Sequence, residues 1–171
     1  MCFFLGLIFS FSVWAEGSDK KSKFSDYPMS IYVGRTIIPA YYVKTGDAWR
    51  DDMAKGVDPP IINFAGRYHV GLRSCGAECR YYTLSDLSNG RDSKALDMFS
   101  SDGEKPTRTK DGRPHVTDLL TRPGSAMLIA QYHIEASAEH SAECRERAFI
   151  YSQSHDVIKP ITPTIKGCER H

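Results

Sequence analysis

The chain has 171 residues, with 22 Lys and Arg against 21 Asp and Glu, six His and five Cys. That length holds one domain with a real hydrophobic core and excludes most large multi-domain enzymes. The net charge of +1 excludes a strongly basic nucleic-acid binder and an acidic tail protein, and a composition of 41% hydrophobic and 25% charged residues is that of a folded chain.

Residues 1–15 (MCFFLGLIFSFSVWA) are uncharged and dominated by Phe, Leu, Ile, Val and Trp. The run is shorter than the roughly 18–20 residues that span a bilayer. Val13 and Ala15 suit the two positions a signal peptidase reads, so residues 1–15 are expected to be a signal peptide, although no Lys or Arg precedes the apolar run. Cys2 lies before that run, not after it, and so does not mark a lipoprotein; it leaves with the signal. Residues 16–26 read as a flexible polar leader and 27–171 as a single disulfide-stabilised β-rich domain, periplasmic or secreted.

From Tyr27 the pattern turns β-like, with SIYVGRTIIPAYYVK (30–44) rich in β-branched and aromatic residues. Asp47 as N-cap and Gly56 as terminator predict a short helix with Trp49 and Met53 one turn apart. VDPP (57–60) stops it. Arg67–Arg73 alternates strictly. Tyr68, Val70 and Leu72 point one way, and Arg67, His69, Gly71 and Arg73 the other, which predicts a half-buried strand with a solvated basic strip. Residues 80–87 form the return strand, closed by a Ser88-Asn89-Gly90 hairpin turn, and 94–99 a further strand.

Residues 100–114 (SSDGEKPTRTKDGRP) are a long polar loop carrying Lys105, Arg108, Lys110 and Arg113. The nearly continuous apolar run 125–133 predicts a central strand. Residues 135–146 are a short helix or an exposed loop, and 148–152 and 157–161 a late strand pair. Ala-Glu-Cys-Arg occurs at 77–80 and again at 142–145, each time after an apolar strand and before an aromatic-rich one, which suggests a meander or blade-like repeat. Together these elements predict a mainly β fold: an antiparallel meander, or small sandwich or propeller-like sheets, with one or two short helices.

With the signal removed, Cys75, Cys79, Cys144 and Cys168 remain. An even count in an exported chain implies disulfides. Of the three connectivities, the favoured one closes the tight SCGAEC loop with Cys75–Cys79 and pins the C-terminal tail with Cys144–Cys168. Cys75-x-x-x-Cys79 is not the Cys-x-x-Cys of redox enzymes. His133, His140 and Cys144 match no standard zinc spacing, so neither a metal nor a cofactor is expected. No H-E-x-x-H, P-loop, G-x-G-x-x-G or G-x-S-x-G occurs. Asp51 and Asp52, being adjacent, do not converge as an acid/base pair. The surface expected to meet an acidic partner combines Arg67 and Arg73 with Lys105, Arg108, Lys110 and Arg113.

Asn63-Phe64-Ala65-Gly66-Arg67-Tyr68, followed by Cys75-Gly76-x-x-Cys79, resembles a group of small exported proteobacterial proteins of unknown function with the pattern N-F-A-G-H-Y, a strand, then W-G-C-G-x-x-C. The Asp86–Gly90 turn, Ser125-Ala126-Met127-Leu128 and Tyr27-Pro28 are similar too. Arg67 stands where that family has His, and Arg73-Ser74 where it has Trp-Gly. The resemblance implies fold and export and brings no activity. The functional expectation is a periplasmic binding protein without catalysis, in its concrete form an inhibitor or immunity protein against a secreted toxin. The expected partner is a protein, a toxin or an envelope component, with no nucleic acid and no membrane span after signal removal. The alternatives are a cell-envelope enzyme using His69 or His133 and a structural envelope component.

Overall fold

The computed structural model describes residues 22–74, 80–101 and 107–170. The expected signal segment, Cys75, Gly76, Cys79 and Lys105 lie outside the described residues. The fold is mainly β, in three antiparallel sheets. A small one joins β1 (Val43–Thr45), β2 (Ala48–Arg50) and β3 (Gly56–Val57). A second is the meander of β4 (Tyr68–Ser74), β5 (Arg80–Asp86) and β6 (Arg91–Ser93). The largest contains β7 (His115–Leu120), β8 (Met127–Ile134), β9 (Glu143–Ser152) and β10 (Val157–Pro160) in the order β10-β9-β8-β7, with β11 (Ile165–Lys166) also on β9.

The core lies between the second and third sheets. Tyr68, Tyr82 and Leu84 from one face meet Leu128, Ala130, Phe149 and Tyr151 from the other in a single buried cluster. The arrangement is a small sandwich. Phe99 meets Phe149 edge to face at 5.1 Å, and Tyr68 meets Tyr151 likewise at 5.1 Å. The Tyr82 hydroxyl crosses the layer to donate to the Thr117 carbonyl at 2.7 Å. On the outer face of the large sheet, Met127, Ile129 and Ala148 are covered by Phe24, Tyr27, Leu120 and Ile161. Run 125–133 is nearly continuously apolar because β8 is buried on both faces from Met127 to Gln131, His133 emerging near its end. The expected leader therefore ends inside the fold. The Phe24 carbonyl accepts a hydrogen bond from Ser125 Oγ, and Arg122 lies over its ring.

Several expectations need correction. No helix forms at 47–56. Asp51 Oδ1 accepts from the backbone N–H of both Met53 and Lys55, closing a turn between β2 and β3, and this local bonding displaces the helical ladder. Trp49 instead pairs across the sheet with Lys44 and Val57. Of residues 30–44 only the last two enter a strand; the rest is irregular, tied by single bonds such as Tyr32 N–H to the Gly66 carbonyl and Ile37 N–H to the Leu87 carbonyl. The strand expected at 94–99 is displaced to β6. Leu96 and Phe99 are both buried, and a single 3-10 turn at Asp97–Phe99 brings residues three apart onto one side. Residues 135–142 are loop, and β7 is a strand that the sequence reading did not anticipate.

The repeated tetrapeptide has a structural counterpart. Arg80 opens β5 and Arg145 lies near the start of β9, each strand the middle of a meander, β4-β5-β6 or β8-β9-β10. Four residues beyond each Arg, Leu84 and Phe149 enter the shared core.

Candidate functional site

The outer side of β4 carries the site. Alternation along β4 holds, but its polar side is not solvated: His69, Gly71 and Arg73 are buried, whereas Leu72 is 47% exposed. The reason is a cover supplied by the chain upstream. Tyr41 and Tyr42 pack at 4.9 Å between centroids, and the Arg73 guanidinium lies over both rings, 4.4 Å and 5.0 Å from their centroids. Arg73 Nη1 also pairs with Asp52 at 3.0 Å and with buried Asp51 at 3.4 Å. Burial holds Tyr41 up at about 12, despite its hydrogen bond to Ser85. Gly71 is required beneath this cover, because a Cβ there would collide with the Tyr42 hydroxyl.

His69 sits in the same layer. Its Nδ1 lies 2.9 Å from the Ile61 carbonyl, which fixes the N–H on that nitrogen and leaves Nε2 as the acceptor. Burial pushes its pKa down, against the pull of the Ile61 carbonyl, and keeps the ring neutral. Tyr42 meets it edge to face at 5.5 Å.

Beside this layer an open groove of ≈ 770 Å³ runs between β2–β3 and β4. Trp49, Val57, Pro59 and Leu72 supply its apolar walls, and its charged side chains are Asp47 and Asp58. Its floor includes a strand edge. Tyr68 exchanges backbone bonds with Phe64, and the Asn63 side chain both donates to the Val70 carbonyl (2.9 Å) and accepts from the Val70 N–H (2.7 Å). Residues 68 and 70 thus point away from β5, and by alternation so does Leu72. Its N–H and C=O have no partner among the described residues.

The remaining expected residues are dispersed. Arg67 is half-buried and pairs with Asp86 at 3.0 Å. Arg113 is only 7% exposed; it bonds Asp111 at 2.9 Å, the Ser141 carbonyl at 3.2 Å, and Glu143. Those bonds hold Glu143 below the usual carboxylate range, Arg113 acting first and Arg145 second. The basic strip is corrected accordingly: Arg73 and Arg113 are buried ion-pair partners, not solvated charge. Arg108 and Lys110 are exposed, Arg108 Nη1 donating to the Gly112 carbonyl at 2.7 Å. In the motif, Phe64 and Ala65 are fully buried, and Gly66, with φ +80°, donates its N–H to the Pro123 carbonyl at 2.7 Å. Cys144 and Cys168 are disulfide-bonded with Cα atoms 5.5 Å apart. His133 lies on the far sheet beside that bond, away from His69. The groove was not legible in the sequence; the one signal was Trp49 among acidic residues, which the helix expectation misplaced.

Compared with known proteins, the chain matches no family model, no curated protein and no solved structure. Function therefore rests on the site itself.

Proposed function

We propose that this chain is a binding protein of an oxidising compartment such as the periplasm, without catalytic turnover, and that it grips an extended, basic segment of a partner protein in the groove beside β4. The unpaired N–H and C=O of Leu72 on the groove floor carry this reading. An extended peptide completes that edge by strand addition, with main-chain bonds giving affinity and side-chain pockets giving selectivity. Trp49 offers a rigid apolar wall, and Asp47 and Asp58 favour a Lys or Arg in the segment. The Cys144–Cys168 bond supports the compartment. An inhibitor or immunity protein that holds a segment of a secreted toxin is the concrete form of this reading, and the exported family named by the Asn63–Tyr68 motif is consistent with it.

Selection of displayed random peptides on the folded protein tests it. Lys- or Arg-bearing peptides are expected to be enriched. Trp49→Ala and, independently, the exposed Asp58→Lys are each expected to weaken them about tenfold or more. Enrichment indifferent to both substitutions would contradict the groove.

A further inference from the structure

On the outer face of the large sheet, three chemically active side chains stand on three adjacent strands: Asp118 of β7, His133 of β8 and Cys144 of β9. His133 and Cys144 are direct cross-strand partners, and Asp118 is diagonal to His133 through its pairing with Gln131. His133 Nε2 lies 3.2 Å from Asp118 Oδ2, and His133 Nδ1 lies 3.6 Å from Cys144 Sγ. Arg80 Nη1 holds the other Asp118 oxygen at 3.1 Å. The carboxylate thus accepts a hydrogen bond from Nε2–H and aims Nδ1 at sulfur, the order of groups that activates a cysteine. Cys168, the sulfur a reactant must reach, is only partly buried, as is Cys144.

The tail that carries Cys168 does not depend on the disulfide alone. Gly167 N–H donates to the Cys144 carbonyl at 2.8 Å, Glu169 N–H to Glu146 Oε2 at 3.1 Å, and Gln131 Nε2 to the Glu169 carbonyl at 2.8 Å. These bonds keep the two sulfurs neighbours when the bond between them is open.

We propose that Cys144–Cys168 is an exchange-active disulfide whose reactant is an accessible dithiol, and that Cys144 is its thiolate end. One thiol of the reactant loses its proton to solvent and attacks Cys168 Sγ. The new S–S bond forms as the Cys144–Cys168 bond breaks, and the electron pair leaves on Cys144 Sγ. His133, protonated from solvent, faces that thiolate with Nδ1–H. The second thiol of the reactant then loses its proton, closes on its own mixed disulfide and expels Cys168, which is reprotonated. The dithiol is oxidised to a disulfide and the protein gains two thiols. The proposal is independent of the groove.

The full chain is treated with limiting dithiothreitol, quenched with acid and alkylating agent, and each cysteine is followed by mass spectrometry. The Cys144–Cys168 bond is expected to open roughly tenfold faster in the native protein than in His133→Gln, with Asp118→Asn between them. Within the reduced native protein, iodoacetamide is expected to reach Cys144 several-fold ahead of Cys168, a comparison that needs no variant to fold. Equal opening rates in the native protein and His133→Gln, or alkylation of Cys168 first, would overturn it.

Discussion

Arg73 shows how a residue reads differently once its cover is known. Its position on the polar side of an alternating strand is what a solvated cation has, and period-2 patterning carries no information about whether a distant segment lies over that side. Residues Tyr41, Tyr42, Asp51 and Asp52, all more than twenty positions upstream, make it a core charge. Arg73→Ala leaves the Asp51 carboxylate buried without its cation. Urea unfolding is expected to show a loss of roughly 3 kcal/mol, with Arg73→Met recovering part of it by refilling the space between the tyrosines. A loss below about 1 kcal/mol would place Arg73 among ordinary surface charges.

At the scale of elements, strands with a local signature are legible: β4 from alternation, β5 as its return strand, the Ser88–Gly90 turn from Asn-Gly, and β8 from its apolar run. Elements set by side-chain-to-backbone bonds were not. The segment around the Asp51 turn reads as a helix in sequence, because Asp47 before it and Gly56 after it are also the residues that cap a short helix. Asn63 is similar: its amide imitates a neighbouring strand residue for Val70, a role that spacing does not reveal. Asn63→Ala leaves two backbone groups of Val70 without partners and is expected to cost about 2 kcal/mol in urea unfolding. Gly66→Ala, at φ +80° and with its Cβ driven into the Ser30 carbonyl, is expected to cost roughly 2–4 kcal/mol. If both variants unfold like the parent, the Asn63–Arg67 segment does not hold the edge of β4.

In the whole molecule, two meanders packed face to face leave one edge of the smaller one open. On the larger sheet the N-terminal segment covers part of the outer face, β11 pairs with β9, and the Cys144–Cys168 bond ties the tail to β9. Across 24 residues that bond is worth roughly 3 kcal/mol in the chain-entropy model. Edges that fold without cover are a hazard that proteins normally suppress with charge, proline or a lid. Here Asn63 and Phe64 close β4 up to Val70, the Ser74 carbonyl is taken by Lys55 Nζ at 2.5 Å, and among the described residues the opening is confined to Leu72. A single gap in an otherwise finished edge, beside Trp49 and two carboxylates, is the central feature of the site. The most direct measurement is backbone amide exchange at Leu72, free and with a selected peptide. Fast exchange in the free protein, slowed about tenfold or more on binding together with a shift of the Trp49 indole signal, is the expected result. Binding that leaves Leu72 exchanging at its free rate, and moves instead the amides around Arg108 and Lys110, would contradict it.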